Sequence, residues 1–125
     1  MLKDFLLVAS GSFMGGGMRF LISRLLQTWL QQTFPWGTFS VNVIGCLLLG
    51  LLLGLPQTTH WLSPSTRLLL TMGFCGGFTT FSAYINDAFS LVKTGNSTHA
   101  LYYVLGSLLV GTIALFVGYL LSKLF

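Results

Sequence analysis

Four long apolar stretches constrain the fold of this chain more than any other feature of its 125 residues. They cover about residues 4–26, 38–55, 67–92 and 100–124. A helix needs about 20 mostly apolar residues to cross a bilayer, and it satisfies its own backbone polar groups there. Only 6% of the residues are charged, against about 25% in soluble domains. The sequence therefore predicts an all-α membrane protein, with residues 1–125 forming one domain of four transmembrane helices in the lipid bilayer.

The same composition argues against several classes of protein. The first stretch continues past Arg19 without a small-residue cleavage site, so we expect a retained span and not a signal peptide. Cys46 and Cys75 lack a CxxC spacing, which argues against a disulfide framework or a metal site and favours small packing residues. The basic residues are scattered, so no nucleic acid is expected as a partner. The sequence has neither a nucleophile and base at a suitable spacing nor a phosphate-binding loop, so we do not expect an enzyme.

The charges at the ends of the spans give little preference for one orientation. Four spans put Lys3, Arg67 and Lys123 on one side of the membrane and Arg24 and Lys93 on the other. The sixth basic residue, near the end of the first span, is ambiguous. Orientation normally follows an excess of Lys and Arg on one side. A chain without that excess is able to insert both ways, and we expect two oppositely oriented copies to pair as an antiparallel dimer.

The third stretch contains the run Gly73-Phe-Cys-Gly-Gly-Phe-Thr-Thr-Phe-Ser82. Its three glycines, three hydroxyls and three aromatic rings do not suit a simple lipid-facing helix. A broken helix is tolerated at membrane depth only where it is buried in protein or faces water or an ion. The run therefore predicts a third helix broken at its centre, at Gly76-Gly77, beside a candidate ion site.

Aromatic residues recur every three positions at Phe78, Phe81 and Tyr84. If the segment is helical, their rings form one stripe. Ring edges carry partial positive charge and contact an anion without the full charge that would trap it, and weak sites in series suit fast conduction. Packing of bulky side chains alone is the other explanation of this stripe.

The second span combines hydrogen-bonding side chains with small residues. Thr38 and Asn42 are four apart, and therefore share one helical face. An asparagine that only bonds a neighbouring helix is a slightly favoured alternative to a pore role for Asn42. Gly45, Gly50 and Gly54 are typical of close helix packing.

The fourth span carries a similar pair, Tyr103 and Ser107, which are also four apart, with Thr112 further along. These residues form either a polar rail beside the aromatic stripe or hydrogen bonds between helices. Ser82 and Asp87 are expected to be structural polar residues. Asp87 is interpreted as a hydrogen-bond acceptor or an interfacial residue in preference to a proton carrier.

Arg19 follows three glycines in Gly15-Gly-Gly-Met-Arg19. A charged residue at depth needs water or a partner, and snorkelling to the interface is one solution. The glycines indicate close backbone packing and favour a position in a vestibule, where an arginine attracts anions.

Together these motifs resemble the Fluc/CrcB family of small fluoride channels. The resemblance covers all four spans and rests on Gly15–Arg19, on Gly37-Thr-Phe-Ser-Val-Asn42 with Gly45, and above all on Gly73–Ser82. It implies a fluoride-selective passive channel that exports fluoride across the plasma membrane of a prokaryote and relieves fluoride toxicity. It also implies a dual-topology, antiparallel homodimer with two pores and a central structural sodium ion.

The resemblance assigns roles residue by residue. The sodium ligands would be the backbone carbonyls of Gly76 and Thr79 in each subunit. The remaining roles fall on the vestibule residue Arg19 and on the pore residues Thr38, Asn42, Phe81, Tyr84, Tyr103 and Ser107. The chain departs from the family pattern at Ala83, which removes a hydroxyl, and at Gly111, where Thr112 is a possible substitute. Tyr84 adds a hydroxyl that is a candidate fluoride donor, and an aspartate stands at the family's acidic position.

Two other functions fit a compact four-span chain. A proton-coupled multidrug exporter needs a membrane-embedded carboxylate, normally in its first span, and this span has only Asp4 at its edge. A non-conducting membrane subunit that packs against partners is compatible with the glycine content.

Overall fold

The computed structural model describes residues 1–30 and 33–124. Its helices are α1 (Leu2–Leu30), α2 (Trp36–Gly54), α3 (Pro64–Leu68), a π-helical segment (Leu69–Cys75), α4 (Gly76–Phe78), α5 (Ser82–Lys93) and α6 (Ser97–Ser122). The segments from α3 to α5 form one span, so four helices are long and apolar enough to cross a membrane. The predicted all-helical, four-span architecture is confirmed.

Several boundaries differ from the predicted ones. α1 continues four residues past the predicted end, because the chain after Leu26 contains no glycine or proline until Pro35. Gln31 and Gln32, part of the predicted connection, lie outside the described residues. The third span begins earlier than predicted because Ser63 accepts a hydrogen bond from the Thr66 N–H at 3.2 Å, with Pro64 at the first helical position, which is a favoured helix start.

The connection before α6 is a compact turn that ends α5, and Gly95 lies in this turn. This glycine has a φ of +80°, a conformation that side chains with a Cβ rarely adopt. The Gly95 N–H donates to the Val92 carbonyl at 3.1 Å and the Asn96 N–H to the Leu91 carbonyl at 2.8 Å. This pair of bonds is the Schellman motif, and it reverses the chain into the last span.

Glycines allow the spans to pack backbone to backbone. A methyl group at Gly50 would overlap the Leu115 carbonyl of α6, and one at Gly118 would overlap the Leu47 carbonyl of α2. Gly15 of α1 lies in the same way against the Phe74 carbonyl. Small residues of this kind are the usual contacts of membrane helices, and they bring α1, α2 and α6 around the third span.

The third span is interrupted near its centre, as predicted, but the predicted position of the break is wrong. Gly76 is helical, with φ −63° and ψ −37°. The helix ends instead at Thr79, which is extended with ψ 159°, and it resumes at Ser82. Gly77 serves packing, since a Cβ there would lie 2.7 Å from the Ser12 Cα. Gly77 therefore provides close contact with α1, and the break follows the glycine pair.

Candidate functional site

An open groove of about 630 Å³ runs beside the break in the third span. Residues from α2, from the third span and from α6 line it. Those used below are Asn42, Cys46, Met72, Cys75, Gly76, Thr79, Thr80, Phe81, Tyr84, Ser107 and Gly111. The lining therefore includes the residues that the sequence motifs singled out in three different spans, and none of the described lining residues is charged.

Asn42 holds the non-helical segment that interrupts the third span. Its Nδ2 donates to the Thr80 carbonyl at 3.0 Å, and its Oδ1 accepts from the Thr80 N–H at 2.7 Å. This is the helix-to-helix bonding that was the alternative to a pore role. An amide nitrogen carries two protons, so one remains for another acceptor, and Asn42 also lines the groove. Asn42 therefore both bonds the third span and borders the groove.

These bonds release two backbone carbonyls from the helical pattern. In a regular helix the Thr80 N–H would donate to the Gly76 carbonyl, but here it donates to Asn42. The Ala83 N–H would donate to the Thr79 carbonyl, but here it donates to the Thr80 Oγ1 at 3.2 Å. Gly76 and Thr79 both border the groove, so both carbonyls assigned by resemblance lie at the groove with their helical donors diverted.

Thr80 was not among the residues predicted to matter. Its backbone bonds Asn42, and its side chain caps the start of α5 through the Ala83 N–H. A hydroxyl residue just ahead of a resuming helix is a signal for a cap. That signal was present in the sequence, but it becomes informative only once the break is located at Thr79–Phe81.

The predicted aromatic stripe is divided by the break. Phe78 is buried and stacks on Phe74, with ring centroids 5.6 Å apart, and it is absent from the described lining of the groove. Phe81 lines the groove and is 73% exposed. Its ring lies 6.0 Å from that of Tyr84, which lies 5.2 Å from Tyr103. The continuous aromatic row is therefore Phe81, Tyr84 and Tyr103.

The Tyr84 hydroxyl has a protein acceptor. It donates to the Val104 carbonyl of α6 at 2.6 Å, and the side chain is 5% exposed. A phenol has one proton to donate. Tyr84 therefore offers the groove its ring, whereas its hydroxyl stabilises the contact between α5 and α6.

Ser107 has a buried hydroxyl without a hydrogen-bond partner among the described residues. It lines the groove. Buried polar groups are nearly always paired, and an unpaired one calls for an explanation such as a ligand. Thr112 does not extend this polar surface, because it is exposed and its hydroxyl donates back to the Leu108 carbonyl at 2.6 Å. Thr112 therefore does not supply the hydroxyl that Gly111 lacks.

A second, polar cavity of about 380 Å³ lies at the end of the bundle where α1 ends and α2 begins. Arg24, Thr38 and Asp87 are among its lining residues. The Tyr103 hydroxyl donates to Asp87 Oδ2 at 3.2 Å. Asp87 is thus a structural acceptor at the mouth of the bundle, which is one of the two favoured interpretations of this residue.

The groove and the polar cavity adjoin along α2. Thr38 lines the cavity and Asn42, one helical turn later, lines the groove. Tyr84 lines the groove, its ring lies 5.2 Å from that of Tyr103, and the Tyr103 hydroxyl donates to Asp87 of the cavity. These two aromatic rings therefore lie between the groove and the polar cavity.

Two predicted polar residues lie away from the groove and the polar cavity. Arg19 donates from Nε to the Gly77 carbonyl at 3.1 Å, and it is not among the described lining residues of either space. The arginine that lines the polar cavity is Arg24, which the sequence motifs did not single out. Ser82 is exposed and lines a separate shallow depression with Phe81.

Comparison with known proteins agrees with this architecture. Residues 6–119 match the model of the CrcB-like protein, Camphor Resistance (CrcB) family. The chain is 43% identical over 119 residues to the "Fluoride-specific ion channel FluC" of Chlorobium phaeobacteroides (strain BS1), covering 95% of this chain and 92% of that protein. It is 45% identical over 123 residues to the protein of the same name from Chlorobaculum tepidum, covering 98% of this chain and 97% of the relative. A further relative of that name, from Azobacteroides pseudotrichonymphae, is 38% identical over the full length of both chains. With a family match across nearly all of its length and relatives of this identity, the chain belongs to the CrcB family.

Proposed function

We propose that this protein is a fluoride-selective passive ion channel that exports fluoride across the plasma membrane of a prokaryote and so relieves fluoride toxicity. The relatives named above are fluoride-specific channels. The observation that carries the proposal is the uncharged groove between the membrane spans, in which the Ser107 hydroxyl has no hydrogen-bond partner among residues 1–30 and 33–124.

Fluoride is small and strongly hydrated, so it leaves water only where other donors replace the water. Asn42 and Ser107 supply such donors from two helices that border the same groove. Full positive charges are absent from the described lining. Donors without a full charge bind an anion weakly enough to release it, which conduction requires.

The polar cavity forms the entrance to this path. Arg24 lines it and raises the local concentration of anions. Thr38 and Tyr103 follow toward the groove, where the rings of Tyr84 and Phe81 continue the path. Aromatic edges offer partial positive charge along a stretch where a fixed cation would hold the ion.

A structural sodium ion fits the carbonyls of Gly76 and Thr79. Hard cations prefer oxygen ligands, and both carbonyls have lost their helical donors. One chain supplies two oxygens, fewer than the about six that a hard cation usually takes. A second copy related by a two-fold axis would supply two more. The ion would hold the broken segments of two chains together.

An antiparallel homodimer explains the exposure of this face. The groove is open, and Met72, Phe81 and Leu108 at its border are more than half exposed. Freed carbonyls cannot face lipid without cost, so a second copy is the occupant that covers them. The near balance of basic residues at the two ends allows that copy to insert in the opposite orientation.

The proposed function is tested by fluoride efflux from potassium-loaded liposomes containing the purified protein, with valinomycin added to carry the balancing charge. A fluoride electrode records the efflux, and chloride efflux is measured in parallel. We expect rapid fluoride loss without chloride loss. Intact dimers that pass no fluoride, or that pass both ions equally, would overturn the assignment.

A further inference from the structure

Two cysteines that are distant in the sequence border one groove. Cys46 lies in α2 and Cys75 is the last residue of the π-helical segment. Both are free thiols, and both line the groove beside the break. Gly45, the neighbour of Cys46, packs against the side chain of Thr79, which lies one helical turn after Cys75, so α2 and the third span are in close contact beside both thiols. The fold therefore brings together two sulfur groups whose sequence spacing suggested no joint role.

The surroundings leave both sulfurs available to a ligand. Among the described residues, neither thiol is in a hydrogen bond. Gly111 has no side chain against Cys46, and an added Cβ there would come into van der Waals contact with its Sγ at 3.5 Å. Met72 borders the same groove and is 65% exposed, so a thioether lies on the same surface. Cys75 is 3% exposed and forms part of the groove's inner wall.

We propose that Cys46 and Cys75 form a two-sulfur binding site for a soft monovalent cation such as Ag(I) or Cu(I), and that the bound cation obstructs the groove. Thiolate and thioether ligands select such cations over hard ones. Each thiol releases its proton to water when its sulfur binds the metal, and no electron transfer is involved. Binding is independent of the proposed function, whereas obstruction of fluoride flow rests on it.

The pair is expected to bind far more tightly than either thiol alone. After one sulfur has bound the cation, the second is held nearby by the packing of α2 against the third span. A second contact made within one molecule strengthens binding by about 10²- to 10⁴-fold when the geometry permits both. A site made from both cysteines therefore loses most of its affinity when either one is removed.

The first experiment measures Ag(I) binding by titration calorimetry on the purified, detergent-solubilised protein in nitrate buffer without chloride. We expect one Ag(I) per chain. Cys46→Ser and Cys75→Ser should each weaken binding by about a hundredfold or more, and the double variant should show no specific binding. Cys46→Ala and Cys75→Ala repeat the test without a buried hydroxyl, and size-exclusion profiles identify any variant that fails to fold.

The second experiment adds Ag(I) to the fluoride efflux assay. Wild-type efflux should stop at the concentration that saturates the calorimetric site and recover with excess dithiothreitol, while the double variant should be insensitive. Loss of binding in only one of the two single variants would show a single reactive thiol and overturn the pair. Half an Ag(I) per chain that depends on Cys75 alone would place the cation between two copies and also overturn it. Binding without any effect on an active channel would refute obstruction, whereas a protein that binds Ag(I) but conducts no fluoride would count against the proposed function alone.

Discussion

Asn42→Ala is the substitution that most directly tests what maintains the break in the third span. Asn42 makes two hydrogen bonds to the Thr80 backbone, at 3.0 and 2.7 Å. Alanine removes both and leaves the Thr80 N–H free to return to the Gly76 carbonyl, which is its partner in a regular helix. We expect the break to close partly and the Gly76 carbonyl to be withdrawn from the proposed sodium site.

The size of the effect follows from the two bonds. Hydrogen bonds between membrane helices contribute about 0.6 kcal/mol on average and up to about 1.7 kcal/mol each. The pair therefore stabilises the break by roughly 1–3 kcal/mol. Because about 1.4 kcal/mol changes an equilibrium tenfold, the population with an open break should fall by roughly 5- to 150-fold relative to the helical alternative.

Two measurements on Asn42→Ala are needed. Fluoride efflux from liposomes should fall, and the thermal stability of the purified protein should lose its dependence on sodium concentration. Asn86→Ala is the matched control, because Asn86 is an exposed asparagine of α5 outside the groove. If Asn42→Ala retained wild-type efflux and wild-type sodium dependence, the role of Asn42 in holding the break would be wrong.

Four further substitutions test separate parts of the structure. Ser107→Ala should reduce fluoride efflux by about tenfold or more while stability is unchanged or higher, because it removes a buried hydroxyl that has no hydrogen-bond partner in the described part of the chain. Reduced stability with normal efflux would assign Ser107 to packing. Phe81→Ile should strongly reduce efflux although dimers still form on size-exclusion chromatography, and unchanged efflux would remove Phe81 from the path. Gly118→Val should destabilise the fold by more than about 3 kcal/mol in a denaturation assay, since its side chain would overlap the α2 backbone; a folded variant would contradict the packing described. Asp87→Asn should preserve passive fluoride efflux in the liposome assay, whereas a proton-coupled exporter would lose transport.

Local composition was enough to predict the four spans and the interruption of the third. Membrane helices depend on continuous apolar length and on internally satisfied backbone groups, and both can be read from consecutive residues. The glycines of α2 were predicted to mark helix packing because small residues allow membrane helices to approach closely. Gly50 does lie against the α6 backbone.

The exact place of the break required contacts between distant segments. Gly76-Gly77 indicated the wrong position because a glycine pair permits a break but equally permits close packing, and Gly77 packs against Ser12. The side chain of Asn42 instead captures the backbone at Thr80. Sequence patterns do not report which of two compatible uses of a glycine the neighbouring helix selects.

The same limit applies to the site. Arg19 was predicted to lie in a vestibule, but the rotation of α1 against its neighbours places Arg24 beside the polar cavity and Arg19 on the Gly77 carbonyl. Cys46 and Cys75 line the same groove because α2 packs beside the third span. Consecutive residues specify a helix and its depth in the membrane, whereas the chemistry of a groove depends on which faces of separate helices come together.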